Sequence, residues 1–312
     1  MTVERGDVTA RRNNGRKRPK GYADWSPQAP ARALLGQVEE ILAEYADHLP
    51  LSVRQIFYRL VGRFDYEKTE NAYERLSDKL VRARRARLID FDAIRDDGVV
   101  TISPDWYLDV EDFWDQAARR ARSYRRDREA GQPQLIELWC ESAGMLPQLA
   151  RVAAEFSIPV YSASGFLSLT ATRQIADRAL DGTRPTVLLH VGDLDPSGQS
   201  IFDTIASDAA AFVEADRVIQ TLRIEPVRVA LTAAQVSAYE LPTAPAKATD
   251  GRSASWEGGT CQVEALAPDD LAAIVREAIT SRMDMDRLAA EVTREFDDRR
   301  ELLWSLPAGG TA

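Results

Sequence analysis

The chain has 312 residues, 45% hydrophobic and 29% charged, and a net charge of −9. This is enough apolar material for two ordinary domains with real cores, which excludes a disordered or fibrous chain. Two cysteines, Cys140 and Cys261, exclude a disulfide framework, and two histidines, His48 and His190, exclude a His/Cys zinc centre.

Any metal must therefore be held by oxygen ligands, which points to Mg²⁺ or Mn²⁺. No apolar run approaches the length of a membrane span, and the basic N-terminus has no apolar signal core. A cytoplasmic protein with no membrane partner is expected. The charge is unevenly placed: residues 1–130 hold 25 Lys/Arg and 23 Asp/Glu, and the rest hold 15 and 26. Nucleic-acid binding needs a local basic surface, which the first part can supply. The second part has the make-up of a carboxylate-rich catalytic or scaffold domain.

Residues 1–25 read as a flexible basic tail, with seven basic residues in the first 22 and no apolar periodicity. The tail is either an electrostatic arm for DNA or simply a solvated end. Leu34, Leu35, Val38, Ile41 and Leu42 predict a first helix from Pro30 to about Tyr45. In PLSVRQIFYRLVGRF, Ser52 and Gln55 make a capping box, and Leu51 and Ile56 are placed as a hydrophobic staple. Val53, Ile56, Phe57, Leu60 and Val61 form the apolar stripe of this second helix. A third helix over NAYERLSDKLVRARRARLI has Leu76, Leu80 and Ala83 on one face and Arg75, Lys79 and Arg82 on another. IDFDAIRDDGVVTIS then reads as a wing. Three helices and a wing predict a winged-helix DNA-binding domain over residues 26–133. Lys79, Arg82, Arg84, Arg85 and Arg87 are its candidate DNA contacts, with a solvated helix face as the alternative reading. Another helix within 105–133 carries RRARSYRRDR and ends in AGQPQ, a Gly-Pro domain boundary.

Strands then alternate with helices. LIELWC (135–140), IPVYSA, TVLLHV (186–191) and PVRVAL (226–231) read as strands. Helices are expected over Leu146–Phe156, Ala171–Leu180 and Ser197 to about Glu214. This order predicts an α/β fold with a parallel sheet covered on both faces. A polar loop, a strand-like CQVEAL and two closing helices complete a second domain over residues 134–312. Ligands bind such sheets outside the carboxyl ends of the strands. Glu141 ends the first of these strands, and Asp193 and Asp195 follow the third, sharing a face while Leu194 turns inward. Carboxylates so placed repel one another, and a hydrated divalent cation would hold them. Asp195-Pro196 is equally an ordinary helix start. A Gly-rich phosphate loop is absent.

The run ESAGMLPQL after one strand and GDLDPSG before a helix resemble the TOPRIM domain of topoisomerases, primases and certain nucleases. There a Glu and an Asp-x-Asp jointly hold Mg²⁺, so the resemblance implies that Glu141, Asp193 and Asp195 are metal ligands. The DPSG continuation is most similar to the topoisomerase VI A subunit and the related meiotic double-strand-break proteins. These also place a winged helix before the TOPRIM domain. ASGFLSLTATRQIADRAL is similar to their second-strand loop and helix, with Phe-Leu-Ser-Leu where relatives usually carry a Pro-Asp pair. Their signature helix resembles Arg-(Asp/Glu)-Ile-(Phe/Tyr)-Tyr, and here Arg54-Gln55-Ile56-Phe57-Tyr58 stands in that place. The resemblance implies that Tyr58 attacks a phosphate of double-stranded DNA to give a 5′-phosphotyrosyl break. It also implies a homodimer in which Tyr58 of one chain meets the metal of the other, with a separate ATPase subunit needed for strand passage.

Helical geometry puts Tyr58 roughly 130° from the centre of the apolar stripe, so a free hydroxyl is expected. Arg54, one turn earlier, would hold a phosphate or favour phenolate. The expected activity is thus DNA cleavage of the type IIB topoisomerase kind. One alternative is a hydrolytic TOPRIM nuclease with Tyr58 a bystander. Another is a non-enzymatic winged-helix regulator. Lys247, Asp250 and Arg252 either touch phosphate or belong to a plain surface loop. Glu264 either joins the acids or pairs with a neighbour.

Overall fold

The computed structural model describes residues 22–95, 106–162, 169–245, 256 and 258–307. Most of the expected tail, the wing beyond Arg95, the loop at 163–168, and Lys247, Asp250 and Arg252 lie outside the described residues.

Helices α1 (Ala29–Glu44), α2 (Val53–Phe64) and α3 (Glu70–Arg85) come first. At the start of α2 the Ser52 hydroxyl accepts from the Gln55 amide and the Gln55 side chain accepts from the Ser52 amide, as the capping box requires. Helix α3 starts on the Thr69 cap and ends among Arg82, Arg84 and Arg85, where cations complement the helix dipole. Leu76, Leu80 and Ala83 are buried as the periodicity predicts. A short strand β2 (Ile94–Arg95) then pairs with β1 (Leu51–Ser52). The pairing is parallel, because two helices separate the strands; a hairpin wing would be antiparallel. The described residues therefore show three helices and a parallel ribbon.

Helix α4 (Val110–Arg122) packs on α10 (Met285–Trp304). Beyond α4, Arg126 bonds Glu291 at 2.8 Å and Asp298 at 2.7 Å, and Arg128 bonds Glu295 at 2.7 Å. These two arginines of RRARSYRRDR are thus spent inside the molecule. The AGQPQ segment is anchored as well. Gln132 is buried and exchanges hydrogen bonds with the Asp284 backbone, and the Gly131 carbonyl accepts from Arg287.

Strands β3 (Leu135–Cys140), β4 (Val160–Ser162), β5 (Thr186–Val191) and β6 (Ile224–Ala230) form one all-parallel sheet in the order β4-β3-β5-β6. Alternation decides the two faces. Ile136, Leu138 and Cys140 of β3 and Val187, Leu189 and Val191 of β5 join one core with α1, α2, α3, α5 (Leu146–Ala153) and α9 (Pro268–Thr280). Trp139 and Leu188 point the other way, under α6 (Leu169–Asp181) and α7 (Pro196–Asp216). The short α8 (Ala233–Ala238) follows β6, with its own Thr232/Gln235 capping box. CQVEAL, expected as a strand, is instead one antiparallel bridge from Cys261 to Leu194 followed by a 3-10 turn, Val263–Ala265. The reason is spatial: the segment crosses the end of the sheet and meets Leu194 at only one residue. Among the described residues no helix is long and apolar enough to cross a membrane.

Candidate active site

The strand order places the switch point between β3 and β5. The chain leaves β3 for β4 on one side, then crosses back to β5 on the other, opening a crevice at the carboxyl ends. Glu141 extends β3 there, its amide donating to the Val191 carbonyl at 3.1 Å. Asp193 and Asp195 follow β5, so the two neighbouring strands deliver all three acids to one rim. Leu194 between them is buried, as expected.

Each aspartate is held by a backbone amide. Asp195 caps α7, accepting from Gly198 N at 2.6 Å, with Pro196 in the first turn. Asp193 accepts from Val263 N at 2.9 Å. Glu141 Oε2 accepts from Asp193 N at 3.3 Å. Gly198 makes room for the cluster: a Cβ there would stand 2.7 Å from Glu141 Oε2 and 3.3 Å from Asp195 Oδ1. A fourth acid, Glu264, is buried on the 3-10 turn. Behind the rim, Arg228 of β6 draws on Glu141, Asp195 and Asp203, and its buried Nη1 has no hydrogen-bond partner among the described residues.

Burial and crowding disfavour charge on Asp193, Glu141 and Glu264. Burial, then Glu264, Glu141 and Asp195, push Asp193 up to about 7 despite the Val263 hydrogen bond. Burial raises Glu141, with Asp195 and Glu264 adding to it, while the Asp193 amide and Arg228 oppose it. Glu264 is also raised by burial, against the pull of Arg54 and Arg95.

As placed, no three His, Cys, Asp or Glu side chains among the described residues are closed into a ligand shell. The two aspartates are each turned onto an amide. The donor set nonetheless suits a hard cation. It offers oxygens, beside a cleft of about 800 Å³ with room for retained waters.

Tyr58 and Arg54 line this same cleft with Lys68, Tyr73, Asp193 and Asp195. The tyrosine therefore shares a cleft with two acids of its own chain, Asp193 and Asp195. The expected free hydroxyl is corrected: Tyr58 is 6% exposed, belongs to the main core, and donates to Gln262 Oε1. Helix α2 is covered on two sides, by α1 and α3 and by the Val263–Ala265 turn, so its buried face is wider than the apolar stripe. Burial raises the Tyr58 hydroxyl well above its ordinary value; Arg54 pulls it down, and Glu264 and Asp193 add to the rise. Arg54 is exposed and sits 5.9 Å over the Tyr73 ring. Lys68 stands 5.6 Å over the Tyr58 ring and donates to the Pro242 carbonyl, its ammonium pKa lowered by burial.

One short segment joins these parts. Cys261 bridges Leu194, Gln262 takes the Tyr58 hydroxyl, Val263 holds Asp193, and the Ala265 carbonyl accepts from Arg59 of α2. Sequence reasoning assigned no role to Lys68, Gln262 or Arg228 and left Glu264 open. One acid in a row of strand-like residues, Glu264 itself, gave the only hint.

The expected DNA-contacting residues divide. Arg82 pairs with Asp78 at 2.9 Å, one turn away, and Lys79 shares that side of α3. Arg84 lies 4.6 Å over Phe91, and Arg87 lies 4.1 Å over Tyr22. Arg85 lines the same hollow as Arg84. No known protein-family model matches the chain, and no curated protein proves similar to it.

Proposed function

We propose that the chain is a divalent-metal-dependent enzyme that cleaves DNA by transesterification, with Tyr58 as nucleophile and Glu141, Asp193 and Asp195 as the metal-holding acids. The fold reading that goes with it is a winged helix followed by a TOPRIM domain. The observation that carries it is the common cleft: Tyr58 and Arg54 of α2 line the same space as Asp193 and Asp195. A bound Mg²⁺ or Mn²⁺ would neutralise charge on the phosphate and favour ionised carboxyls and phenol around it.

The chain's own residues then have defined tasks. Arg54 is placed to hold a phosphate oxygen, and Gln262 orients the Tyr58 hydroxyl. The phenol loses its proton to solvent as its oxygen bonds to phosphorus. The bond from phosphorus to the 3′ oxygen breaks, and that oxygen takes up a proton, leaving a 5′-phosphotyrosyl link. Because Tyr58 faces acids of its own chain, each site draws on one chain, and a homodimer would present two sites to the two strands.

A second reading, hydrolysis by water, is favoured by the buried ring of Tyr58 and the rise in its hydroxyl pKa. Supercoiled DNA with Mg²⁺ or Mn²⁺ separates the two. Transesterification predicts protein-linked breaks that vanish in Tyr58→Phe and in Asp193→Ala. Cleavage that survives Tyr58→Phe with no attached protein selects hydrolysis, and absence of cleavage by the native chain refutes both.

A further inference from the structure

Three hollows share lining residues in succession. The first, about 440 Å³, lies among Tyr22, Phe91, Arg84 and Arg85. Val81 and Arg84 line both it and a second hollow, and Arg54 and Tyr73 line both the second and the carboxylate cleft. The three therefore adjoin one another in a row, a trough of neighbouring hollows. Helix α3 makes its long wall: Tyr73, Ser77, Leu80, Val81 and Arg84 recur at helical spacing along it. From Tyr73 to Arg84 that wall is about 16 Å long at roughly 1.5 Å per residue. This suits about five nucleotides at the ~3.4 Å spacing of stacked bases.

The far end has an unusual chemistry. Tyr22 and Phe91, 60% and 46% exposed, meet edge to face at 6.1 Å. Arginines already lie over both rings. Arg84 donates to the Phe91 carbonyl at 3.2 Å, while its buried Nε has no hydrogen-bond partner among the described residues. Exposed aromatic faces with guanidinium groups beside them stack on bases, and cations along a groove track a phosphate backbone. A duplex keeps its bases stacked on one another and offers none to such rings. We infer that this trough takes an unpaired strand of nucleic acid, with bases stacked on Tyr22 and Phe91 and the backbone led past Arg84 and Arg54 to the carboxylate cleft. The inference rests on the proposed action of that cleft on DNA, and it makes the substrate a duplex with a single-stranded extension or an opened segment.

Fluorescence anisotropy in EDTA, with the full chain, tests it using a blunt duplex and the same duplex carrying a single-stranded extension. The extension should tighten binding about tenfold or more. Tyr22→Ala with Phe91→Ala should remove that gain and leave blunt-duplex affinity unchanged. Phe91→Trp should keep it. Both rings are exposed, so the alanine variants should retain the native melting temperature. An extension without effect, or a gain that survives the double alanine change, overturns the inference. So does an acidic peptide that competes for the trough as well as the single strand, since the partner would then be a protein. Cleavage of blunt DNA without an extension effect would refute this inference alone, whereas an extension effect without cleavage would refute only the proposed chemistry.

Discussion

Replacing Asp193 by Asn should stabilise the metal-free protein at alkaline pH. The Asp193 carboxyl moves from 3.8 to about 7 on folding, because burial and three neighbouring acids disfavour its charge. Between those two values the folded chain keeps a proton that the unfolded chain has lost. Stability therefore falls as pH rises from about 4 to about 7, then levels off. At about 1.4 kcal/mol per pH unit the ceiling is ~4 kcal/mol. Asp193 retains some exposure, and solvent screening brings the expected effect to about 2 kcal/mol. Asn is nearly isosteric, keeps an oxygen to accept from Val263 N, and cannot ionise. Thermal unfolding at pH 4 and pH 8 in EDTA should show the variant melting several degrees above the native chain at pH 8, with little difference at pH 4. Added Mg²⁺ should raise the native melting temperature at pH 8 and narrow the gap, since a ligand of the folded state stabilises it. Equal melting temperatures at pH 8 in EDTA, or the same pH slope in both proteins, would refute the account of Asp193 as a carboxylate destabilised by its neighbours.

Gly198→Ala puts a methyl group 2.7 Å from Glu141 Oε2, so Mg²⁺-dependent stabilisation measured by melting should be lost even though alanine suits a helix. Tyr58→Phe removes only the hydroxyl bonded to Gln262; melting should report a loss of about 1 kcal/mol, so that lost cleavage in this variant is chemical. Glu295→Gln disturbs a carboxylate that is 1% exposed and held by Arg128, Arg299 and the Arg126 amide, and denaturant titration should show a loss of about 3 kcal/mol. Burial raises the Glu295 pKa but its arginine partners outweigh that and lower it, so this contribution is present above the ordinary glutamate range and is lost in acid.

The parts of this molecule legible in the sequence are those set by local rules. The parallel strands announce themselves through apolar runs at βα spacing, and the capping box of α2 through Ser52/Gln55. Glu141, Asp193 and Asp195 share a rim because β3 and β5 are neighbours. What sequence reading missed depends on long-range contact. A helical wheel gives α2 one buried face, but the turn at Val263–Ala265 supplies a second and takes Tyr58 out of solvent. Nothing near Arg126 and Arg128 in the chain announces their partners, because α10 brings Glu291, Glu295 and Asp298 to them from far along the sequence. The segment Cys261–Ala265 has too few residues and too little period to declare a role. Yet it spans the sheet end, holds Asp193 by an amide, presents Glu264, and fixes the Tyr58 hydroxyl. It thereby braces Tyr58 of α2 against the acids at the sheet end. Its position follows from where the sheet ends, which no window of neighbouring residues encodes.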